Sequence, residues 1–109
     1  MVAYRQTARA EQDLIDIWLA IAADSPASAD MLLDTLDAKA RMLADNPKIG
    51  VARDDIISGL QYFPWRNYLI FYHIVDDAIE VYRYIHGARD YVTFLRVGSL
   101  HDRVAGISI

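Results

Sequence analysis

Cysteine is absent from this 109-residue chain. That removes disulfides, thiolate metal sites and a cysteine nucleophile together. Lysine is scarce, with only Lys39 and Lys48. The three histidines, His73, His86 and His101, lack the i,i+4 or clustered spacing of a zinc site. Five scattered glycines build no phosphate-binding loop, and no G-x-S-x-G motif is present. No apolar run approaches the ~20 residues that span a bilayer. No apolar stretch follows the N-terminus as it would in a signal peptide. A soluble, cytoplasmic protein without cofactor, metal or assigned catalytic residues is the expectation.

Positive charge is also in deficit, 11 Lys+Arg against 15 Asp+Glu for a net charge of -4. An acidic balance weakens general affinity for polyanions such as nucleic acid. Hydrophobic residues are in good supply, at 54%. This is ample for one folded domain, and the length leaves no room for two. The expected division is one domain over residues 1–96 and a tail over residues 97–109.

Residues 2–5 read as a short strand. Thr7 has the side chain of a helix N-cap, and Glu11 and Asp13 place negative charge near that helix start. Leu14, Ile17, Trp18 and Ile21 then recur at helical spacing, to an end near Ala23 and Asp24. Ser25-Pro26 restarts a helix, with Ser as cap and Pro at the first helical position. Ala29, Leu33, Leu36, Ala40 and Leu43 form its apolar face, and Asn46-Pro47 stops it. Two helices so closely joined make an antiparallel hairpin.

The pattern then changes. Leu60–Trp65, Tyr68–Val75 and residues 79–86 are rich in aromatic and β-branched residues. Arg66-Asn67 and Asp76-Asp77 separate them as tight turns, so a three-stranded antiparallel meander is expected. Both faces of its middle strand are largely apolar, which implies cover on both. In the last strand Ile79, Val81, Arg83 and Ile85 are expected to share one face. A final helical turn is expected over residues 91–96. The order is β-α-α-β-β-β, an α+β fold with a helical hairpin packed on an antiparallel sheet.

Two regions stand out. Arg83 lies on a strand face otherwise apolar, so its guanidinium must be paired or wet. His86, Gly87, Arg89 and Tyr91 follow, with Phe94 beyond. These residues are either a strand end held by ordinary ion pairs or a polar and aromatic patch that meets another molecule. Residues 83–103 carry four arginines against two aspartates, a locally basic stretch in an acidic chain. In the hairpin, Trp18 with Ile15, Leu19 and Ala22, and Met31 and Leu32 beside Leu33, exceed one apolar stripe. Either the sheet buries them all, or a groove remains for a partner's amphipathic helix.

Four segments in register carry a family likeness. They are Thr7-x-x-Ala10-x-x-Asp13-Leu14-x-x-Ile17, Asn46-Pro47-x-x-Gly50 leading to Ser58-Gly59-Leu60, Tyr68-Leu69-Ile70-Phe71-Tyr72, and Arg83-x-x-His86-Gly87-Ala88-Arg89-Asp90. Over residues 2 to 95 the chain resembles the ParE toxins of the RelE/ParE superfamily, once called plasmid stabilisation proteins. The resemblance implies the toxin of a type II toxin–antitoxin pair that inhibits DNA gyrase. It also implies a ParD-like antitoxin, with a ribbon-helix-helix N-terminus that binds operator DNA and a C-terminal segment that wraps the toxin. Operator DNA would then be reached only through the antitoxin, and no membrane is involved.

The candidate target-facing residues are Arg83, His86, Arg89, Tyr91 and Phe94. The candidate antitoxin-facing residues are Leu14, Ile15, Trp18, Leu19, Ala22, Met31 and Leu32. Two other readings stay open. One is a RelE-like ribosome-dependent mRNA endonuclease; the resemblance to that branch implies Lys, Arg, sometimes Glu, and a C-terminal Tyr or His around the scissile phosphate. The other is a toxin-fold protein kept only as an antitoxin-binding, autoregulatory partner. The lysine shortage and the acidity weigh against the nuclease.

Overall fold

A computed structural model describes residues 4–87. Its elements run β1 (Tyr4–Gln6), α1 (Ala8–Ala22), α2 (Pro26–Asp45), a short 3-10 turn (Pro47–Ile49), β2 (Val51–Ala52), β3 (Leu60–Trp65), β4 (Tyr68–Val75) and β5 (Ala78–His86). The caps are those the sequence announces. Thr7 Oγ1 accepts from the Ala10 amide at 3.0 Å, and Ser25 Oγ accepts from Ser28 at 3.2 Å ahead of Pro26. Each such cap is worth about 1 kcal/mol. The two hairpin turns fall at Arg66 and Asp76, both with φ of 53°.

The sheet has five strands in the order β1-β5-β4-β3-β2. It is mixed, not wholly antiparallel as expected. β1 pairs parallel to β5, and the long return through both helices and the meander makes that possible. β2 is an addition, two residues paired to Tyr62 and Gln61 of β3. A two-residue strand leaves no alternation to detect. The α+β class, the helical hairpin and the meander are as expected. The expected helical turn over 91–96 and the tail lie outside the described residues.

The helix-facing side of the sheet holds the larger core. Leu36, Ala40 and Leu43 of α2 and Ala10 of α1 pack on Ile70, Tyr72, Ile79, Val81 and Tyr84. Full burial of each large aliphatic side chain contributes about 1.5–3 kcal/mol. The opposite face carries a smaller cluster of Leu60, Phe71 and Ile85, with Ile56 and Ile57 packed against it.

One strand departs from simple alternation. Tyr72 pairs with Val81 but Phe71 pairs with Arg83, so β5 has one more residue than β4 at that point. Such a bulge reverses the phase of every later side chain. Tyr84 therefore joins Ile79 and Val81 on the helix side, and Ile85 crosses to the other face. The expectation that Ile85 shares a face with Ile79 and Val81 fails for this reason.

Candidate functional site

The bulge in β5 frees backbone groups, and the start of α1 takes them up. Thr7 Oγ1 donates to the Tyr82 carbonyl oxygen at 2.9 Å while serving as the helix cap. Asp13 accepts from the Tyr84 amide at 3.0 Å. The same carboxylate takes a bidentate bond from Arg83, Nε to Oδ2 at 2.8 Å and Nη2 to Oδ1 at 3.0 Å. Asp13 is 8% and Arg83 4% exposed. Two buried charges are tolerable only when each satisfies the other. Ala10, fully buried between Thr7 and Asp13, lets the helix approach this closely. The spacing Thr7-x-x-Ala10-x-x-Asp13 therefore brackets the strand segment that ends in Arg83-x-x-His86.

Arg83 is thus placed inside, against α1. Asp13, read from sequence as a complement to the helix N-terminus, is its partner instead. The signal was present: Asp13 lies one turn from Ala10 and Ile17 on a buried stripe, as Arg83 lies on an apolar strand.

Beyond Arg83 the strand reaches an aromatic row. His86 is exposed and its ring lies 4.9 Å from that of Tyr68. Tyr68 stacks on Trp65 at 6.4 Å, and the Arg66 guanidinium sits 5.1 Å over the Trp65 ring. Gly87, at φ 88°, donates its amide to the Asn67 carbonyl at 2.6 Å, which ties the strand end to the β3–β4 turn. Sequence names Tyr68 only within a strand segment and Arg66 only within a turn, and offers none of Trp65, Arg66 and Tyr68 as a site residue. Only the strand register, Trp65 to Tyr68 and Tyr68 to His86, brings them together. Arg89, Tyr91 and Phe94 lie outside the described residues.

The seven hairpin candidates separate into three groups. Leu14 and Leu32 pack against the main core. Ile15, Leu19 and Met31 are 52%, 58% and 70% exposed. Trp18 is half-buried between them, and its indole N–H donates to Asp30 Oδ1 at 2.8 Å, linking α1 to α2. Ala22 is half-buried at the end of α1.

The motif Asn46-Pro47-x-x-Gly50 also has a physical role. The buried Tyr72 hydroxyl donates to the Pro47 carbonyl at 2.7 Å and accepts from the Gly50 amide at 3.0 Å. A Cβ on residue 50 would stand 2.2 Å from that hydroxyl oxygen, so only glycine fits.

Electrostatics elsewhere serve the fold. Tyr4 donates to Asp37 Oδ1 at 2.5 Å, and burial pushes its phenol up to about 12. The bond from Tyr4 holds the Asp37 carboxyl below its usual range. Burial lowers His73 and raises Tyr84. Arg53 is held by Asp55 at 2.8 Å and Arg41 by Asp37 at 3.0 Å. Among the described residues no group of three or more His, Asp or Glu could hold a metal ion. Within the same residues no helix is long and apolar enough to cross a membrane.

A family model described as "ParE toxin of type II toxin-antitoxin system, parDE" matches residues 4–91. One solved structure with this fold is described as "Chromosomal ParDE TA system from P. aeruginosa". It aligns with a TM-score of 0.67 at 15% identity, covering 81% of this chain and 98% of that one. At that identity the likeness shows the fold alone. No relative is found among curated protein sequences.

Proposed function

The chain belongs to the ParE toxin family of type II toxin–antitoxin systems, and from that premise we propose that it inhibits DNA gyrase in the cytoplasm and is neutralised by a ParD-like antitoxin. The match across residues 4–91 carries this reading. Two features support it. The outer hairpin keeps large apolar side chains in water, as a surface awaiting a partner does. Several cations are also already engaged: Asp13 holds Arg83, Asp55 holds Arg53 and Asp37 holds Arg41. A nuclease reading needs positive charge aimed at a phosphate.

The proposed division of labour gives the antitoxin the outer hairpin around Ile15, Trp18, Leu19 and Met31. The gyrase-facing residues are then His86, on a strand end positioned by Arg83, together with Arg89, Tyr91 and Phe94 further along the sequence. The test is a supercoiling and DNA-cleavage assay with purified gyrase, run beside a ribosome-dependent mRNA cleavage assay. Loss of supercoiling with intact mRNA is the expected result. Specific mRNA cuts with unaffected gyrase overturn it, and no effect in either assay or on growth favours an autoregulatory partner. Arg89→Ala is expected to lower toxicity while antitoxin binding stays intact.

A further inference from the structure

The outer face of the hairpin has a chemistry that names its occupant more narrowly. Ile15 and Leu19 lie one helical turn apart on α1, and Met31 projects from α2, all more than half exposed. Their rim is acidic. Asp16 lies beside Ile15 and three residues before Leu19, while Asp30 and Asp34 flank Met31, and all three are exposed. Residues 8–45 hold eight acidic residues against three basic ones, more than the whole chain's excess of four. Of those eight, Asp13 is consumed by Arg83 and Asp37 by Tyr4 and Arg41, which places them away from the rim chemistry. The apolar strip therefore runs between carboxylates.

We infer that the outer face of the α1–α2 hairpin receives an amphipathic helical segment whose apolar stripe is flanked by lysine and arginine. Leucine-sized side chains at i and i+4 match the spacing of Ile15 and Leu19. Basic flanks match the rim and would discriminate against an acidic segment of equal hydrophobicity, which would set like charges against each other. This rests on the proposed neutralisation by an antitoxin, and it adds the charge of the antitoxin's toxin-binding segment.

The experiment uses the full chain and two synthetic helical peptides with identical leucine spacing, one flanked by lysines and one by glutamates. Fluorescence anisotropy is expected to give the lysine peptide roughly tenfold tighter binding at low salt, with the gap narrowing at high salt. Asp16→Lys with Asp34→Lys is expected to reverse the ranking, and both positions are exposed enough to leave the fold intact. Equal affinities, or a ranking unmoved by the charge reversal, overturn the inference. A ParD-like antitoxin provides the second measurement, against Leu19→Ser with Met31→Ser. If that pair abolishes antitoxin binding while the charge reversal does nothing, the basic flank is wrong and the hairpin interface stands. If antitoxin binds every variant alike, the hairpin interface and this inference fail together.

Discussion

On its sheet-facing side the hairpin buries Ala10, Asp13, Leu36, Ala40 and Leu43, while on its outer side Ile15, Leu19 and Met31 stay more than half exposed. Both sides are apolar at helical spacing, yet they differ in what completes them. The inner side is finished by this chain: Tyr84 and Arg83 satisfy Asp13, and Ile70, Ile79 and Val81 fill the space under α1 and α2. The outer side has apolar groups more than half exposed, with carboxylates alongside. Hydrophobic periodicity therefore identified the helices but could not divide buried side from exposed side. That division lies in the partners each residue finds. The inner side should be sensitive in stability, and the outer side in binding.

Asp13→Ala should break the inner side most severely. It removes both hydrogen bonds that Arg83 makes to a carboxylate and leaves the buried guanidinium without that counter-charge, at an expected cost of about 3–5 kcal/mol in urea unfolding. Joint replacement by Asp13→Leu and Arg83→Met should recover much of that, since buried pairs and apolar isosteres are often of similar stability. A loss under about 1 kcal/mol for Asp13→Ala would show that the pair is not structurally required.

Gly50→Ala and Tyr72→Phe should each cost about 1–3 kcal/mol, one by forcing a Cβ into the tyrosine hydroxyl, the other by orphaning the Gly50 amide. Their combination should cost less than the sum, because losing the hydroxyl removes the closest of the Cβ contacts, while those at 2.9 Å to the Tyr62 carbonyl and the residue 72 ring remain. Strict additivity in a double-mutant cycle would separate the motif from Tyr72.

Alkaline pH probes the same buried side. Tyr4 and Tyr84 both have raised folded-state values, Tyr4 to about 12, against the ordinary 10.0. The unfolded chain then ionises first, so their contribution is complete below pH 10 and is lost as pH rises towards 12. Melting temperature should fall across that interval. Tyr4→Phe should flatten the decline, and an unchanged slope would exclude Tyr4 as a cause.

Smaller still in stability is Thr7→Val, which removes a cap and a bond to the Tyr82 carbonyl for about 1 kcal/mol. At the far end of the scale, Leu19→Ser should shift stability by no more than about 0.5 kcal/mol. Its antitoxin affinity, measured by calorimetry, should nevertheless fall roughly tenfold, as for a central apolar interface residue. Large destabilisation by Leu19→Ser would place it with the inner side and erase the contrast.

Much of this was legible in the sequence for local reasons. Thr7 and Ser25-Pro26 announce helix starts, Asn46-Pro47 announces a stop, and the strand bounds Leu60–Trp65 and Tyr68–Val75 follow from turn residues at Arg66-Asn67 and Asp76-Asp77. What escaped notice depends on long-range pairing. The bulge at Tyr82, the parallel β1–β5 ladder and the two-residue β2 have no periodic signature of their own. The Asp13–Arg83 bond spans 70 positions. Arg83 looked odd on an apolar face, but Asp13 read as a complement to the helix start, so neither announced the other. At the site, Ile15, Leu19 and Met31 were identifiable as surplus apolar residues. The Trp65–Tyr68–His86 row was not, since it exists only through register.

The parallel ladder between β1 and β5 also sets a schedule. Residue 4 leaves the ribosome early, but its strand has no neighbour until residue 79 follows. Thr7 and Asp13 likewise wait for Tyr82, Arg83 and Tyr84. Chains emerge N-terminus first, and contacts of long sequence separation close last. The nascent hairpin is therefore exposed before the sheet beneath it is complete. Under the proposed division of labour, an antitoxin already present in the cell could engage that outer face before the strand end bearing His86 has been fixed in place.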